Sequence, residues 1–270
     1  MFKDFLDSYS RTLIMGILNV TPDSFYDGGK ILNKKSLKDK FNSLNKSDII
    51  DIGAESSRPG ASKVNESSEI KRISSILSFL DQKNKYYSID TYKPNVARFA
   101  IENGFNMVND ITGGSNPEML EFVNQAKIPI VLMHMQGNPR NMQNNPRYNN
   151  IIDDLLSFFE TRIEFCLNYG INKKQIIIDP GIGFGKTVSD NDKIIRCLKQ
   201  FKVFDIPILI GVSRKSFLSI NKDKPDDRLE ASLAVASIAI NNGADIIRVH
   251  DIEKSSLVFS IVNRLINKNK

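Results

Sequence analysis

The chain has 270 residues, of which 41% are apolar and 25% are charged, as is typical of a soluble protein with a sizeable core. No apolar run reaches the roughly 18 residues that cross a bilayer, and the first stretch, MFKDFLDSYSR, is too acidic for a secretory signal, so we expect a cytoplasmic protein without a membrane partner. The net charge of +6 is scattered, without a basic run that carries stacking aromatics, which disfavours a nucleic-acid-binding protein.

Eight short β-type runs recur along the chain, and amphipathic segments of helical spacing separate them. The runs are LIMGILN (13–19), DIIDIG (48–53), YYSID (86–90), MVNDI (107–111), IPIVLMH (128–134), QIIIDPG (175–181), IPILIGVS (206–213) and ADIIRVHD (244–251). Alternating strands and helices predict parallel strands, and the apolar runs indicate strands covered on both faces. The pattern predicts a single-domain α/β fold over 1–270, a (β/α)8 TIM barrel. An open doubly wound sheet is the alternative, because periodicity cannot show closure.

The helical segments follow the runs in order. They are LNKKSLKDKFNSL (32–44), SSEIKRISSILSFLDQ (67–82), NVARFAIENG (95–104), PEMLEFVNQA (117–126), IIDDLLSFFETRIEFCLNYG (151–170), NDKIIRCLKQF (191–201), EASLAVASIAINNG (230–243) and KSSLVFSIVNRLI (254–266). The last two are apolar enough to form a subunit interface or to pack on the barrel. One long interruption, MQGNPRNMQNNPRYNN (135–150), is predicted to be an excursion after the fifth strand.

Each apolar run ends in residues that can do chemistry. In order these are Asn19, Asp51 with Glu55, Asp90, Asn109 with Asp110, His134, Asp179, Ser213 with Arg214 and Lys215, and Arg248 with His250. In a barrel all the carboxyl ends of the strands open on the face where substrates bind. Helix capping and turn formation would explain any one of these residues, but they explain the whole set poorly.

The stretch DPGIGFGKT (179–187) has the composition of a phosphate loop but not its spacing, since its glycines do not fit GxxxxGK[ST]. We expect its glycines to allow a tight turn or a close approach to a flat ligand. Phe184 between them is either a lid residue or a core residue. Arg248 and His250, two apart on a strand, project to the same side and can form an anion site.

Eight motifs together resemble the dihydropteroate synthase family, in order and over residues 13–251. They are GILNVTPDSFYDGG, DIGAESSRPGA, SIDTYKPNVA, VNDITGG, IVLMHMQGNPRNMQ, IIDPGIGFGKT, ILIGVSRKSF and IIRVHD. The resemblance implies a homodimeric (β/α)8 barrel that uses Mg²⁺ to condense 6-hydroxymethyl-7,8-dihydropterin pyrophosphate with p-aminobenzoate. The products are 7,8-dihydropteroate and pyrophosphate. Ser57 stands where the family usually has Thr, which keeps the hydroxyl and loses a methyl.

The same resemblance implies three binding sets. The pterin pocket would contain Asp90, Asn109, Met133, Asp179 and Lys215. Pyrophosphate would contact Asn19, Arg248 and His250, with Asn19 also a ligand of Mg²⁺. The p-aminobenzoate pocket would contain Phe25, Ser57, Arg58, Pro59, Phe184, Lys215 and Ser216.

Three residues are implied to act in catalysis. Arg248 and His250 would stabilise the charge of the departing pyrophosphate, and Asp27 would lie near the cationic pterin methylene. The stretch NVTPDSFYDGG (19–29) would then be a lid over the barrel mouth, which excludes water when it closes.

Three other functions are possible on the sequence alone. A pterin-binding methyltransferase that takes methyltetrahydrofolate would share Asp90, Asn109 and Asp179 but would not need an anion site. A Schiff-base aldolase could use Lys215, although it would leave Arg248 and His250 unexplained. Nucleic-acid binding is indicated only by the pI near 9.1.

Overall fold

The fold was analysed in a computed structural model, which describes residues 9–21, 26–27, 30–31, 34–56, 63–81, 85–220 and 224–266. Among these residues, eight parallel strands alternate with eight α-helices. The strands are β1 Leu13–Asn19, β2 Ile49–Gly53, β3 Tyr86–Asp90, β4 Met107–Asp110, β5 Ile130–Met133, β6 Ile176–Asp179, β7 Leu209–Gly211 and β8 Ile246–Val249. The helices are α1 Lys34–Ser43, α2 Glu66–Ser74, α3 Pro94–Glu102, α4 Pro117–Ala126, α5 Ile151–Asn168, α6 Val188–Arg196, α7 Leu229–Asn241 and α8 Ile252–Leu265.

The strands form one sheet in the order β6-β5-β4-β3-β2-β1-β8-β7. A parallel bridge between Ile178 and Ile208 joins the two ends, and the Ile178 amide donates to the Pro207 carbonyl at 3.0 Å. The sheet therefore closes into a barrel, as predicted, and the open doubly wound sheet is wrong. A separate short hairpin pairs Tyr26–Asp27 with Lys30–Ile31.

Several helices begin at a residue whose side chain accepts from a free backbone amide. Asn65, Asn116 and Asn150 cap α2, α4 and α5 in this way. Thr187 and Asp190 form a reciprocal capping box at α6. Because these caps lie at the end of the loops that follow β2, β4, β5 and β6, they fix where the loops at the carboxyl end of the barrel stop.

The barrel interior is filled by one apolar layer near the amino ends of the strands. Its members are fully buried and come from seven of the eight strands: Leu13, Met15, Ile49, Met107, Val131, Ile177, Leu209 and Ile246. Tyr86 of β3, partly buried, packs against them. We call this set the plug layer. A second apolar cluster packs the outer faces of the strands against the helices. No helix in the described part of the chain is long and apolar enough to span a membrane.

Candidate active site

A polar layer lies directly above the plug layer. Strand side chains alternate between the two faces, so the residue two positions after an inward plug residue also points inward. This places Asp51 after Ile49, Asn109 after Met107, Met133 after Val131, Asp179 after Ile177 and Arg248 after Ile246. Asp90 belongs to the same layer, because its register partner on β4 is Asn109. The structure therefore brings together Asp90, Asn109, Met133, Asp179 and Arg248 from the predicted set.

Arg248 joins two carboxylates across the polar layer. Its Nε donates to Asp51 Oδ2 at 2.6 Å and its Nη2 donates to Asp90 Oδ2 at 2.8 Å. Asn109 Nδ2 donates to the same Asp51 oxygen at 2.9 Å. Asp51 is fully buried, so this guanidinium compensates a charge that would otherwise be costly. The two bonds use two of the five N–H donors of Arg248, and three remain for an anion.

The carboxylates of the polar layer are strongly affected by burial. Burial raises the pKa of Asp90 to about 7, although Arg248 favours its ionised form. Burial also raises the pKa of Asp179, against the attraction of Lys215 and a hydrogen bond of 2.8 Å from the Gly181 amide to Oδ1. Groups of this kind accept N–H donors of a bound ring more strongly than water-exposed carboxylates do.

Lys215 and Phe184, from the loops that follow β7 and β6, contact each other. The Lys215 ammonium lies 4.4 Å from the centre of the Phe184 ring and donates to the carbonyl of Ile182. Burial lowers the pKa of Lys215 to about 8, while Asp179 favours its charged form. Ser216, which follows at the start of a short 3₁₀ turn, is exposed.

Asn19 and His250 lie at the ends of neighbouring strands. Asn19 is the last residue of β1 and is partly buried. His250 follows β8, and its Nδ1 lies 3.1 Å from the hydroxyl of Ser213. Ser213 also accepts from the His250 amide at 3.2 Å, so the loops after β7 and β8 hold the imidazole together.

Four other residues at strand ends form contacts that stabilise the scaffold: Asp110, Arg214, Glu55 and His134. Asp110, next to Asn109 but on the opposite face of β4, accepts from Thr112 and from the Gly114 amide. Arg214 turns away from the mouth in a left-handed conformation (φ 59°) and pairs with Asp226 and Asp251.

Glu55 pairs with Lys93, which also bonds to the buried Glu69 at 2.7 Å. His134 packs edge-on against Phe158, 4.7 Å between ring centres, and its Nδ1 lies 2.9 Å from the Lys186 amine. Burial, reinforced by Lys186, lowers the pKa of His134 to about 3, so this ring is neutral.

A cavity of about 480 Å³ opens beside the polar layer, which is a size that small-molecule sites commonly have. Asp90 and Met133 line its inner end, and the loops after β2, β3, β4 and β5 supply its outer walls, among them Tyr92, Thr112 and Arg140. The barrel mouth is therefore accessible from the side of these four strands.

The structure does not describe the side chains of five predicted site residues. Phe25, Ser57, Arg58 and Pro59 lie outside the described residues. Asp27 belongs to the short hairpin, where only its backbone is described. Their roles, and the lid assigned to 19–29, stay predictions.

Asp51 and Lys186 are not among the site residues that the sequence predicts. The spacing of Asp51 from Ile49 is the signal that places it inside the barrel. Lys186 lies in the glycine-rich stretch 179–187, and its contact with His134, 52 positions earlier, has no sequence signal.

A metal ion would depend on ligands from the substrate. Among the described residues, no group of three or more His, Cys, Asp or Glu could hold a metal ion. Mg²⁺ often takes only one or two protein oxygens and completes its shell with phosphate and water. The amide oxygen of Asn19, at the mouth, is compatible with this mode of binding.

Comparison with known proteins identifies the family of this chain. A family model described as "Pterin binding enzyme" matches residues 15–250. The dihydropteroate synthase of Synechocystis sp. is 41% identical over 261 residues, which cover 94% of this chain and 90% of the relative. The chain belongs to the dihydropteroate synthase family. Its members are transferases, and this chain is therefore an enzyme of that class.

Solved structures of dihydropteroate synthases share the fold. The Yersinia pestis enzyme, in a sulfonamide drug complex, superimposes with a TM-score of 0.88 at 39% identity and covers 96% of this chain and 95% of its own. The Xanthomonas albilineans enzyme with 4-aminobenzoic acid gives 0.87 at 34% identity, covering 96% and 94%. These relatives favour the synthase over the methyltransferase, aldolase and nucleic-acid-binding alternatives.

Proposed function

We propose that this chain condenses 6-hydroxymethyl-7,8-dihydropterin pyrophosphate with p-aminobenzoate, giving 7,8-dihydropteroate and pyrophosphate. The observation that carries the proposal is the polar layer above the plug layer, where buried carboxylates, an amide and a guanidinium come together beside a cavity that Asp90 and Met133 line. That arrangement occurs in a chain of the dihydropteroate synthase family.

The polar layer supports recognition of a pterin edge. Such an edge presents ring N–H and amino donors beside ring-nitrogen and carbonyl acceptors. Asp90 and Asp179 accept from the donors, while Lys215 donates to the acceptors. Met133, buried in the same layer, packs on the ring face. A pocket of this kind rejects rings that leave its buried polar groups unpaired.

The pyrophosphate lies at Asn19, Arg248 and His250 in this proposal. Arg248 keeps its two bonds to Asp51 and Asp90 and offers its remaining N–H groups to the anion. Asn19 would hold Mg²⁺ together with phosphate oxygens and water. When bound, Mg²⁺ would neutralise part of the pyrophosphate charge.

The reaction breaks the bond between the pterin methylene carbon and the pyrophosphate oxygen first. The electron pair leaves with pyrophosphate, where Arg248 and His250 stabilise the growing negative charge. The amine nitrogen of p-aminobenzoate then bonds to the methylene carbon and loses a proton. Asp27 lies near the cationic methylene, while Phe25, Ser57, Arg58, Pro59, Phe184, Lys215 and Ser216 hold p-aminobenzoate.

An assay of both products tests the reaction. Purified protein is incubated with the pterin pyrophosphate, p-aminobenzoate and Mg²⁺, and dihydropteroate and pyrophosphate are measured. We expect equal amounts of the two products, and none when p-aminobenzoate or Mg²⁺ is left out. Methyl transfer from methyltetrahydrofolate without pyrophosphate release would instead support the methyltransferase.

The proposed partner is a second copy of this chain. Leu257, Ile261 and Leu265 lie four residues apart on α8 and are 65%, 45% and 71% exposed. Ile238 of the neighbouring helix α7 is 50% exposed. A solvent-exposed apolar stripe on two packed helices is typical of a subunit interface. The protein is proposed to act in the cytoplasm without membrane or nucleic-acid partners.

Light scattering tests the dimer. The doubly substituted Leu257→Glu/Ile261→Glu protein should elute as a monomer, because two buried carboxylates would be unpaired at the interface. Val203→Glu is the control, since Val203 is 75% exposed and lies outside α7 and α8. A wild-type monomer at micromolar concentration would contradict the dimer.

A further inference from the structure

The segment between β5 and α5, residues 134–150, supplies no group to the chemistry proposed above. It nevertheless lies against the glycine loop 181–185 that carries Phe184. A Cβ atom on Gly185 would come within 2.6 Å of the Gln136 carbonyl oxygen, and one on Gly181 within 1.9 Å of the His134 carbonyl oxygen. The two backbones therefore touch, and only glycine permits this approach.

Four consecutive carbonyl groups of the glycine loop each accept a hydrogen bond from a different side chain. The pairs are Lys215 Nζ to Ile182, Gln143 Nε2 to Gly183 at 2.8 Å, Lys186 Nζ to Phe184 at 3.0 Å, and Tyr148 Oη to Gly185 at 2.6 Å. Three glycines with positive φ would leave such a loop many alternative conformations. The four donors select one of them, and with it the position of the Phe184 ring.

Lys215 differs from the other three donors because it is also assigned to substrate binding. It bonds to the loop in this structure, and it is also assigned to both substrates in the proposed function. When its ammonium turns to a substrate, the Ile182 carbonyl loses its partner. The bonds from Gln143, Tyr148 and Lys186 do not involve the substrate groups, so they remain in place during the reaction.

Lys186 is suited to this structural task. Its side chain is 4% exposed, and its amine contacts His134 Nδ1 at 2.9 Å as well as the Phe184 carbonyl. Within the described residues it forms no salt bridge. Burial lowers the pKa of Lys186 to about 7. An enclosed amine in either protonation state still donates N–H to the Phe184 carbonyl, but it does not reach the cavity.

We propose that Gln143, Tyr148 and Lys186 are positioning residues that hold the Phe184 loop and so determine how tightly the aromatic amine substrate binds. The inference rests on the proposed function, which places Phe184 in the p-aminobenzoate pocket. It gives the segment after β5 a role in the second half of the reaction, exerted through the Phe184 loop.

Steady-state kinetics of Tyr148→Phe, Gln143→Ala and the double variant test the proposal. Each single substitution removes one hydrogen bond, so the KM for p-aminobenzoate should rise about threefold to tenfold. The double variant should raise it by at least about tenfold. The KM for the pterin pyrophosphate should stay within about twofold, because the polar layer is built on strands rather than on this loop.

Tyr87→Phe is the matched control. The Tyr87 hydroxyl is also a partner of a backbone group, since it accepts from the Asp81 amide at 2.8 Å, but it lies outside the glycine loop. This variant should lower the melting temperature without changing either KM. Lys186→Met, which removes the most enclosed donor, should raise the KM for p-aminobenzoate further than either single variant.

The possible results distinguish a failure of the positioning role from a failure of the proposed function. If the wild type makes dihydropteroate and the double variant changes both KM values equally or neither of them, the positioning role is wrong. If Lys186→Met does not fold, the Tyr148 and Gln143 variants still decide. If the wild type makes no dihydropteroate, the proposed function fails and the inference fails with it.

Discussion

Two layers inside the same barrel differ completely in chemistry although they lie two residues apart on the same strands. The plug layer is apolar and fully buried. The polar layer above it carries the carboxylates of Asp51, Asp90 and Asp179 and the guanidinium of Arg248. The comparison shows how one fold separates stability from function: apolar burial stabilises the lower layer, and mutual pairing makes the charges of the upper layer tolerable.

The two layers also differ in how completely their groups are satisfied. The eight fully buried residues of the plug layer carry no polar side-chain group that needs a partner. Asp51 Oδ1 of the polar layer and Ser88 Oγ of β3, next to it, are buried and have no hydrogen-bond partner in the described part of the chain. Buried groups of this kind reduce stability, and they are typical of sites shaped by a ligand rather than by folding.

Asp179→Asn should have the largest effect on activity. The amide keeps the shape and can still accept from the Gly181 amide, but it loses the charge that attracts N–H donors of the pterin. We expect kcat/KM to fall about a thousandfold or more. The melting temperature should stay the same or rise, because a buried carboxylate is removed. Loss of cooperative unfolding would show that Asp179 belongs to the scaffold instead.

Arg248→Ala should affect both the stability and the ligand binding of the polar layer. It leaves the Asp51 and Asp90 carboxylates without their cation, so the free energy of unfolding should fall by about 3–5 kcal/mol. Pyrophosphate binding, measured by calorimetry, should weaken about a hundredfold, and p-aminobenzoate binding much less. Adding Asp51→Asn should restore part of the stability but none of the pyrophosphate affinity. Equal losses for the two ligands would contradict the assignment of Arg248.

Ile177→Ala tests whether the plug layer contributes to stability without affecting substrate binding. The substitution leaves a cavity in the plug layer, two residues before Asp179, and should lower the free energy of unfolding by about 2–5 kcal/mol in urea. Both KM values at 25 °C should stay within about twofold of the wild type. A large rise in KM without loss of stability would mean that the two layers are not separable.

The sequence predicted the barrel well because its signals are local. Each of the eight runs contains one strand, but several runs extend beyond it: β8, for example, covers Ile246–Val249 within the predicted 244–251. The late starts of β5 and β7 have a physical reason. Both runs begin with Ile-Pro, at Pro129 and Pro207, and proline cannot donate in a strand ladder. The paired strands therefore begin after the prolines, at Ile130 and Leu209.

The site was less predictable because it depends on the direction of side chains. Asn109 and Asp110 are adjacent, and only the position of Met107 in the plug layer shows which one points inward. A strand that is apolar on both faces does not carry this information in its sequence. The pairs between His134 and Lys186 and between Arg248 and Asp51 join residues 52 and 197 positions apart, so no local pattern reveals them.

The smallest expected effect concerns pH and the buried amine of Lys186. Its pKa is about 7 in the fold, against 10.5 for an unperturbed lysine, so the unfolded chain binds more protons between these limits. The resulting penalty is fully present below pH 7 and disappears as the pH rises towards the unfolded value, which makes stability increase with pH in this window. Lys186→Met should reduce the slope of the unfolding free energy between pH 7 and about 9.

Lys215, with a pKa of about 8, also makes stability increase with pH in this window, while Asp90, with a pKa of about 7, and Cys166, with a pKa of about 11, act in the opposite direction near its lower and upper ends. All three groups are present in both proteins, so the difference in slope between the wild type and Lys186→Met measures the contribution of Lys186. Urea unfolding at pH 7, 8 and 9 would measure the slope, with the exposed Lys199→Met as control. If Lys186→Met leaves the slope at the wild-type value, the amine is charged in the fold at pH 7. Its bond to the Phe184 carbonyl would then come from a buried ammonium, and the stability of the loop would depend on how that charge is compensated.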